Sequence, residues 1–325
     1  MYREKVGKAM SEQQILLRRV DNHEINTARQ IHTCQLSSFD ADMAKVSQYL
    51  TQAILLEVAT HPKPGLVTRA SNGSHNDMSI FTFMMSSAVL GKAFNYLQDM
   101  GMSHTGNLQE LFEKIRAYGQ VAEKELLNVT GGVNTQRGIL FAGGILSGVA
   151  GYAINKGYDK ESIIGLVMEM TNGIVEKELR NLGRKEITAG EKLYKEYGVT
   201  GIRGEVENGF PSVVNVGLPA MQEAFSKGAS LNDVLVHTLL SLMTVVEDSN
   251  VIWRTDVATL FEVQKVASHI LNLGSVFTEA GRNAIKEAEK DFVNRRISPG
   301  GSADLLSITT TLYLLENKEF PCHIF

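Results

Sequence analysis

Six short segments of the chain, set between stretches of helical periodicity, combine glycine or proline with charged or amide side chains. They span residues 57–65, 72–78, 131–138, 200–210, 247–256 and 298–306. Functional side chains commonly lie on loops that a rigid scaffold holds in place. These segments are therefore where the sequence is most able to do chemistry, although each also has a simpler structural interpretation.

The first segment favours a rigidly held cation at the end of a helix. Pro62 and Pro64 stand at alternate positions, where they exclude helix and fix an extended turn. The turn presents His61 and Lys63, and an ordered loop that carries a cation suits phosphate binding. A stiff helix terminator with a solvated lysine is the simpler alternative.

The second and third segments are glycine-containing turns that lead into helices. A glycine pair at residues 131–132 precedes Asn134 and Arg137. Backbone N–H groups in such a turn can surround a phosphate, and Arg137 would add charge, but an ordinary capped turn explains the pattern too. His75 and Asp77 in residues 72–78 are suited to metal binding or proton transfer, while Asp77 also fits a helix cap.

Acidic side chains gather in the last three segments. Glu205 and Glu207 follow Arg203 in a glycine-broken stretch, Asp248 stands at a helix end, and Asp304 falls in the first turn of the last helix. Carboxylates grouped in this way provide the oxygen ligands that Mg²⁺ takes and often shares with phosphates. The alternatives are a solvated charged loop and, for Asp304, a favourable position in the helix dipole.

The elements that position these segments are predicted to be helices. Apolar residues recur at spacings of three and four, as in residues 46–58, 108–126, 163–174 and 231–242, and no alternating strand pair with a two-residue hairpin loop occurs. Asp42, Asp77 with Ser79, and Ser302 stand before periodic stretches as candidate helix caps. The pattern predicts an all-α fold, with a single large multi-helical domain over residues 41–325 and a ligand cleft formed by the loops between helices.

The remaining composition limits the class of protein. The more polar residues 1–40 carry none of the motifs and predict a helical or mobile N-terminal extension. A net charge of −4 gives no footprint for nucleic acid. Cys34 and Cys322 are far apart, which favours a reducing, cytoplasmic compartment over a disulfide framework. The uncharged residues 138–155 contain five glycines and fall short of the ~20 apolar residues of a membrane span, so a buried helix is expected.

Several common site motifs are missing from the sequence. It contains no G-x-x-x-x-G-K-[ST] phosphate loop, no G-x-G-x-x-G fingerprint after a strand, and no H-E-x-x-H or paired-cysteine zinc pattern. The N-terminus has mixed charge with no apolar run after it, which predicts that no signal peptide is present. The six segments thus have to be interpreted together.

Taken in order over about residues 50–316, the six segments resemble the triphosphoribosyl-dephospho-CoA synthase family. The matching stretches are Glu57 with residues 61–67, then residues 72–78, 132–138, 203–205 with 209–210, 248–250 and 299–306. Ser302 stands in the last glycine motif, Trp253 and Arg254 follow Asn250 without a clear match, and residues 1–40 lie outside the resemblance. The family serves citrate lyase or, in a sister branch, malonate decarboxylase.

The resemblance implies a pentosyl transfer. The 5-triphosphoribosyl group of ATP passes to the 2′-hydroxyl of 3′-dephospho-CoA, adenine departs, and a further transferase loads the product onto the acyl carrier protein of citrate lyase. Breaking a bond between ribose and base builds oxocarbenium character, by analogy with glycoside chemistry. A carboxylate can take the hydroxyl proton, and Mg²⁺ with nearby cations can hold the triphosphate.

The resemblance also suggests roles for individual side chains. The residues predicted to bind substrate are Lys63, His75, Asn134, Arg137, Arg203 and Ser302. Among them, Lys63, Arg137 and Arg203 are predicted to contact phosphate. The predicted metal ligands are Glu205, Asp248 and Asp304, and the predicted catalytic residues are Asp77, Glu205, Asp248 and His61, with His61 or His75 assisting protonation of adenine.

Three alternatives stay open at this stage. One is a helical, Mg-dependent hydrolase of ADP-ribosyl or nucleotide N-glycosidic bonds, which would pass the ribosyl group to water. Another is the malonate decarboxylase version of the transferase, and the third is a non-catalytic nucleotide-binding protein. The expected partners are the small molecules ATP and 3′-dephospho-CoA, with no nucleic acid and no membrane, and a homodimer is compatible with the helical surface.

Overall fold

The computed structural model describes residues 38–180 and 188–321 of the 325-residue chain. Within these ranges the chain forms fifteen α-helices and no strand, which confirms the predicted all-α fold. The helices are α1 (Ser38–Met43), α2 (Val46–Ala59), α3 (Ile80–Met102), α4 (Leu108–Val129), α5 (Arg137–Lys156), α6 (Ile163–Thr171), α7 (Ile174–Leu179), α8 (Ala189–Tyr197), α9 (Gly201–Glu207), α10 (Leu218–Ser226), α11 (Leu231–Met243), α12 (Ser249–Arg254), α13 (Val257–Asn272), α14 (Glu279–Arg295) and α15 (Gly300–Asn317).

Helices α2 to α15 belong to one unit, Asp42–Phe325. Of the predicted extension at residues 1–40, the structure describes the backbone of the last three residues, and the rest lies outside the described ranges. The division of the chain into an extension and a catalytic domain therefore stays a prediction.

Side-chain caps fix several helix starts. Asn107 accepts a hydrogen bond from the Glu110 N–H at 3.0 Å, and Asp256 accepts one from the Thr259 N–H at 2.7 Å. These bonds satisfy N–H groups that have no partner inside the helix.

Of the four caps predicted from the sequence, Ser79 is confirmed and the other three are displaced. Asp42 lies inside α1, α3 begins after Ser79 and not after Asp77, and Ser302 lies in the first turn of α15. Such shifts of one turn are the usual error of boundary prediction, because several polar residues in a row can each serve as the cap.

Helix α5 is the centre of the domain. It packs against α2, α3, α4, α6, α9 and α15. Its crossing with α3 is close enough to need glycine, since a Cβ on Gly151 would lie 2.0 Å from the Gln98 carbonyl oxygen and one on Gly101 would lie 2.1 Å from that of Gly148. By length and composition α5 could span a membrane, but 78% of its apolar window is buried within the domain, as expected of a core helix.

Candidate active site

A cleft of about 900 Å³ opens on the side of the domain where five of the six segments meet. Residues 72–78, 131–138, 200–210, 247–256 and 298–306 each contribute to its walls. The first segment contributes only Glu57 and the neighbouring Leu66 and Val67. The prediction of a cleft formed by loops between helices is therefore confirmed for the described residues.

Residues from the amino ends of three helices line this cleft. Arg137 and Gly138 begin α5, Gly190 lies in the first turn of α8, and Gly300 and Gly301 begin α15, and all five residues line the cleft. The amino end of a helix carries partial positive charge and unpaired N–H groups. At α8 the Glu191 carboxylate caps the helix start, and at α15 the first-turn N–H groups already donate to Asp248. Of these three ends, that of α5 has no side-chain cap and carries Arg137, so it favours an anionic ligand.

Asp304 lies partly exposed in the wall, where α15 meets the amino end of α5. A Cβ on Gly138 would lie 1.9 Å from Asp304 Oδ2, so the glycine makes room for the carboxyl group. Desolvation raises the pKa of Asp304 well above its usual range, and the charges of Glu57 and Asp248 raise it further, against a hydrogen bond from the Ile139 N–H. The protein surroundings thus disfavour a bare negative charge on this group.

Lys63 lies behind this wall and not in the cleft. Its side chain is 1% exposed, and its Nζ donates to Glu57 Oε1, which belongs to the cleft lining. Burial lowers the pKa of Lys63, and the Glu57 carboxylate partly offsets that effect. In the structure, Lys63, the predicted phosphate contact, is therefore the counter-ion of the buried carboxylate of Glu57.

Asp248 and Ser302 form the joint between α12 and α15. Asp248 Oδ1 accepts from the N–H groups of Asn250 (3.1 Å) and Val251 (3.4 Å), and Oδ2 accepts from the N–H (2.8 Å) and the hydroxyl (3.1 Å) of Ser302. Both side chains are 2% exposed and neither lines the cleft. Burial raises the pKa of Asp248, and the hydrogen bonds from Ser302 and its neighbours oppose the rise.

Glu205 lines the opposite part of the cleft on α9. Its Oε1 accepts from the Ser212 hydroxyl at 2.5 Å, and its Oε2 accepts from the Ser212 N–H at 3.2 Å. Burial raises the pKa of Glu205, the two bonds from Ser212 lower it, and the charge of Glu247 adds a smaller rise. A carboxylate that is fixed in position and has a raised pKa is suited to accept a proton.

A pair of guanidinium groups lies near Glu205. Arg116 Nε and Nη2 donate to the two oxygens of Glu178 at 2.9 and 3.0 Å, and Arg203 Nε donates to Oε2 of the same carboxylate at 2.8 Å. Both guanidinium groups also lie over the ring of Phe141, with their Cζ atoms 5.0 and 5.7 Å from its centroid. Arg116, Phe141 and Arg203 all line the cleft.

His75 is held as a neutral imidazole. Its Nδ1 lies 3.0 Å from Arg254 Nη2, which is always a donor, and its Nε2 lies 2.9 Å from Ser298 Oγ. Desolvation, reinforced by the charge of Arg254 and opposed by Asp77, lowers the pKa of His75 to about 4. The low pKa does not favour the suggested role in protonating adenine near neutral pH. That role and the contact with substrate both stay predictions.

The other predicted residues divide between cleft and surface. Asp77, Asn134 and Arg137 line the cleft, and Arg137 Nη2 pairs with Glu123 at 2.5 Å. His61 is absent from the lining. Its Nδ1 lies 3.2 Å from Thr68 Oγ1 and 3.6 Å from Glu289 Oε1, so the described structure does not bring it to the other candidates.

The three predicted metal ligands do not form one cluster. Within residues 38–180 and 188–321, no three His, Cys, Asp or Glu side chains are arranged to hold a metal ion. All hydrogen-bonding directions of Asp248 are directed at backbone and Ser302 donors, and Glu205 is directed at Ser212. Asp304 is the predicted ligand that lines the cleft and still lacks compensating donors, apart from the Ile139 N–H.

Sequence reasoning missed Arg116, Glu178 and Phe141. Arg116 lies inside the amphipathic helix α4, where a charged residue is normally part of a solvated face. Phe141 lies in the glycine-rich α5, which has the composition of core. Only the packing of α4 and α9 against α5, and of α7 against α9, brings the three together. No spacing in the sequence indicates it.

The described residues form an all-helical domain with a cleft lined by arginine and carboxylate side chains. A family model described as ATP:dephospho-CoA triphosphoribosyl transferase matches residues 43–321. The chain belongs to this family, which confirms the resemblance found in the sequence and the expectation of a transferase.

Similar proteins are also known from several bacteria. The chain is 42% identical, over 90% of its length and 95% of the relative, to a probable 2-(5''-triphosphoribosyl)-3'-dephosphocoenzyme-A synthase of Malonomonas rubra. It is 37% identical to the synthase of Pectobacterium atrosepticum, over 82% of this chain and 88% of the relative. It is 35% identical to that of Klebsiella pneumoniae, over 82% and 89%. No solved structure matches the chain.

Proposed function

We propose that the protein transfers the 5-triphosphoribosyl group of ATP to the 2′-hydroxyl of 3′-dephospho-CoA. The bond between ribose C1′ and adenine N9 breaks, and adenine leaves with the electron pair. A new bond forms between C1′ and the 2′-oxygen of dephospho-CoA, and the hydroxyl proton is lost while adenine gains one. The observation that carries the proposal is the family match over residues 43–321, which includes every wall of the cleft.

The cleft supports this reaction by its size and its charge. About 900 Å³ is near the upper end of the range of roughly 300–1,000 Å³ for small-molecule sites, which suits two nucleotide-sized substrates. The amino end of helix α5, together with the arginine pair, suits the phosphate groups that both substrates carry. The walls of the cleft would also limit the access of water to ribose C1′, where hydrolysis of the bond to adenine would compete with the transfer.

Glu205 is the residue that we assign to the hydroxyl proton. Its carboxylate lines the cleft, is fixed by two bonds from Ser212, and has a pKa raised by burial. Its carboxylate would accept the proton of the 2′-hydroxyl as the new bond forms. General-base catalysis of this kind typically contributes ~10²–10⁴-fold.

Mg²⁺ fits the acidic wall formed by Asp304 and Glu57. When all are ionised, Glu57, Asp248 and Asp304 set three negative charges against the single ammonium of Lys63, and this imbalance is part of what raises the pKa of Asp304. A divalent cation bound by Asp304 and Glu57 would offset the surplus. When bound, it would neutralise charge on the triphosphate.

The first experiment is chromatography of the protein incubated with ATP, Mg²⁺ and 3′-dephospho-CoA. Adenine and a heavier dephospho-CoA adduct are expected in equal amounts. Adenine without an adduct would identify the hydrolase instead, and bound ATP without adenine would refute both enzymes.

Variants on α9 test the assignment of the base. Glu205→Gln is expected to lower kcat at least a hundredfold. Glu207→Gln is the matched control, because Glu207 lies on the same helix outside the cleft, and its contact with the Gly173 N–H survives in glutamine. Equal rates for the two variants would remove Glu205 from the mechanism.

Binding of Mg²⁺ alone tests the metal assignment. Mg²⁺ without nucleotide is expected to raise the Tm of the wild-type protein and to leave Asp304→Asn unchanged. The same rise in both proteins would show that the ion binds elsewhere. The loading of the product onto an acyl carrier protein for citrate lyase, the homodimer and the cytoplasmic location stay predictions.

A further inference from the structure

One carboxylate holds two cleft-lining arginines in a fixed pair. Glu178 on α7 receives the fork of Arg116 from α4 and the Nε of Arg203 from α9, at distances of 2.8 to 3.0 Å. The Glu178 side chain is 17% exposed, and those of Arg116 and Arg203 are 33% and 28% exposed. Partial burial and a bidentate geometry distinguish this cluster from an ordinary surface ion pair.

Both arginines of the pair also pack on one aromatic ring, which forms the floor of the cluster. Both guanidinium planes lie over the ring of Phe141, within the range of a cation–π interaction. Phe141 belongs to the central helix α5, so the floor does not move independently of the core. The carboxylate and the ring together fix the position of each guanidinium group, the first through hydrogen bonds and the second through contact with the ring of Phe141.

The remaining donors of the pair have no partner in the part of the chain that the structure describes. They are Nη1 of Arg116 and both terminal nitrogens of Arg203. A Cβ on Gly190 would lie 3.5 Å from Arg203 Nη1, which places the amino end of α8 beside the pair. Two guanidinium groups against the one carboxylate of Glu178 leave this three-residue cluster with one net positive charge.

We infer that Arg116 and Arg203 together bind the polyphosphate chain of ATP and that Glu178 is the residue that positions both. Arg116 is thus a substrate-binding residue that no motif indicated. The identity of the ligand rests on the proposed function, whereas the class of ligand, a polyphosphate, rests on the free donors and the charge. A fixed guanidinium fork matches phosphate oxygens in a way that a lysine cannot.

A purely structural role for the cluster makes different predictions. If the three residues only tie α4, α7 and α9 together, their loss should weaken folding and leave phosphate binding unchanged. The chain offers a matched control in Arg282 and Asp233, a bidentate pair of similar burial that lies away from the cleft. Asp233→Asn removes that pair without touching the candidate site.

The experiment measures equilibrium binding of inorganic tripolyphosphate, ATP and AMP to the full chain without dephospho-CoA. Arg116→Ala is expected to weaken ATP and tripolyphosphate about tenfold to a hundredfold, since charge-assisted bonds to phosphate are lost, and AMP by less than threefold. Asp233→Asn is expected to leave all three unchanged. ATP binding by a folded Arg116→Ala within threefold of the wild type would overturn the inference, as would a wild type that binds neither polyphosphate.

Glu178→Gln separates positioning from simple charge. The change raises the net charge of the cluster from one to two positive charges, so an electrostatic role alone predicts tighter binding of ATP. A positioning role predicts weaker binding, because the amide presents an N–H group to one of the arginines and releases it from its place over Phe141. Weaker ATP binding, by fivefold or more, supports the inference, and tighter or unchanged binding refutes the positioning part.

These results are distinguishable from a failure of the proposed function. Tripolyphosphate has no glycosidic bond, so its binding does not depend on any transfer. If the wild type releases no adenine but loses tripolyphosphate in Arg116→Ala, the reaction is wrong and the binding site is right. If adenine and adduct form at equal rates and affinities in wild type and Arg116→Ala, the reaction is right and the site is wrong.

Discussion

The most informative single substitution is Gly138→Ala at the amino end of α5. The new methyl group would lie 1.9 Å from Asp304 Oδ2, whereas a Cβ is essentially never closer than 3.0 Å to another heavy atom. The carboxyl group therefore has to move by at least 1.1 Å, the difference between these two distances. That movement changes the position of the Asp304 carboxyl group relative to the Ile139 N–H and to Glu57.

The substitution is expected to act on catalysis far more than on folding. Gly138 is not in the positive-φ region, and alanine is favoured over glycine inside a helix by about 1 kcal/mol. This gain offsets much of the loss of one hydrogen bond, about 0.5–1.5 kcal/mol. A displacement of about 1 Å at a catalytic group can lower the rate about 10²-fold, which corresponds to about 2.7 kcal/mol in the barrier.

The assay compares adenine release and thermal unfolding for Gly138→Ala and Gly165→Ala. Gly165 lies in α6, and a Cβ there would meet no heavy atom within 4 Å, so its alanine variant gains helix propensity without displacing anything. A roughly hundredfold lower kcat in Gly138→Ala, with a Tm close to that of the control, is the expected result. Activity within threefold of the wild type would refute the role of Asp304 as a ligand of a Mg²⁺ ion that the transfer needs.

Three further predictions concern buried ionisable groups. Lys63→Met should lower the free energy of unfolding in urea by about 3–5 kcal/mol, because it leaves Glu57 buried without its cation, and adding Glu57→Leu should restore part of it. Asp248→Asn should cost about 1.5–3 kcal/mol, since an amide cannot accept from all four donors; unchanged stability would contradict the joint between α12 and α15. The folded pKa of His75 is about 4, below its ordinary 6.5, so the folded state binds fewer protons between these values. Stability should therefore fall as pH drops from about 6.5 to about 4, and this slope should be smaller in His75→Gln.

The fold class could be predicted because helix periodicity is a local property. The apolar spacing in residues 46–58, 108–126, 163–174 and 231–242 appears as α2, α4, the α6–α7 region and α11. The exact starts were harder, because a run of polar residues offers more than one cap, as at Asp77 and Ser79. The glycine-rich residues 138–155 were correctly expected to form a buried helix, since Gly143, Gly144, Gly148 and Gly151 allow the close crossing with α3.

The candidate site could be predicted only as a set of loops. The glycine and acidic motifs located five walls of the cleft, but they could not show which side chains face it. Lys63 has the residue type of a phosphate contact, yet it is buried and paired with Glu57. Asp248 has the residue type of a metal ligand, yet it is buried against Ser302, which is far away in the sequence. Burial of a polar group depends on tertiary packing, which no local pattern carries.

Helix α5 fixes the distance between the acidic wall and the arginine pair. Gly138 contacts Asp304, and Phe141 lies under the arginine pair three residues later. Residues three apart lie on the same face of a helix, about 4.5 Å apart along its axis. The arginine pair and the acidic wall therefore meet α5 at positions about one helical turn apart. Because α5 is held by the close α3 crossing, this spacing is set by the core of the domain and not by the loops.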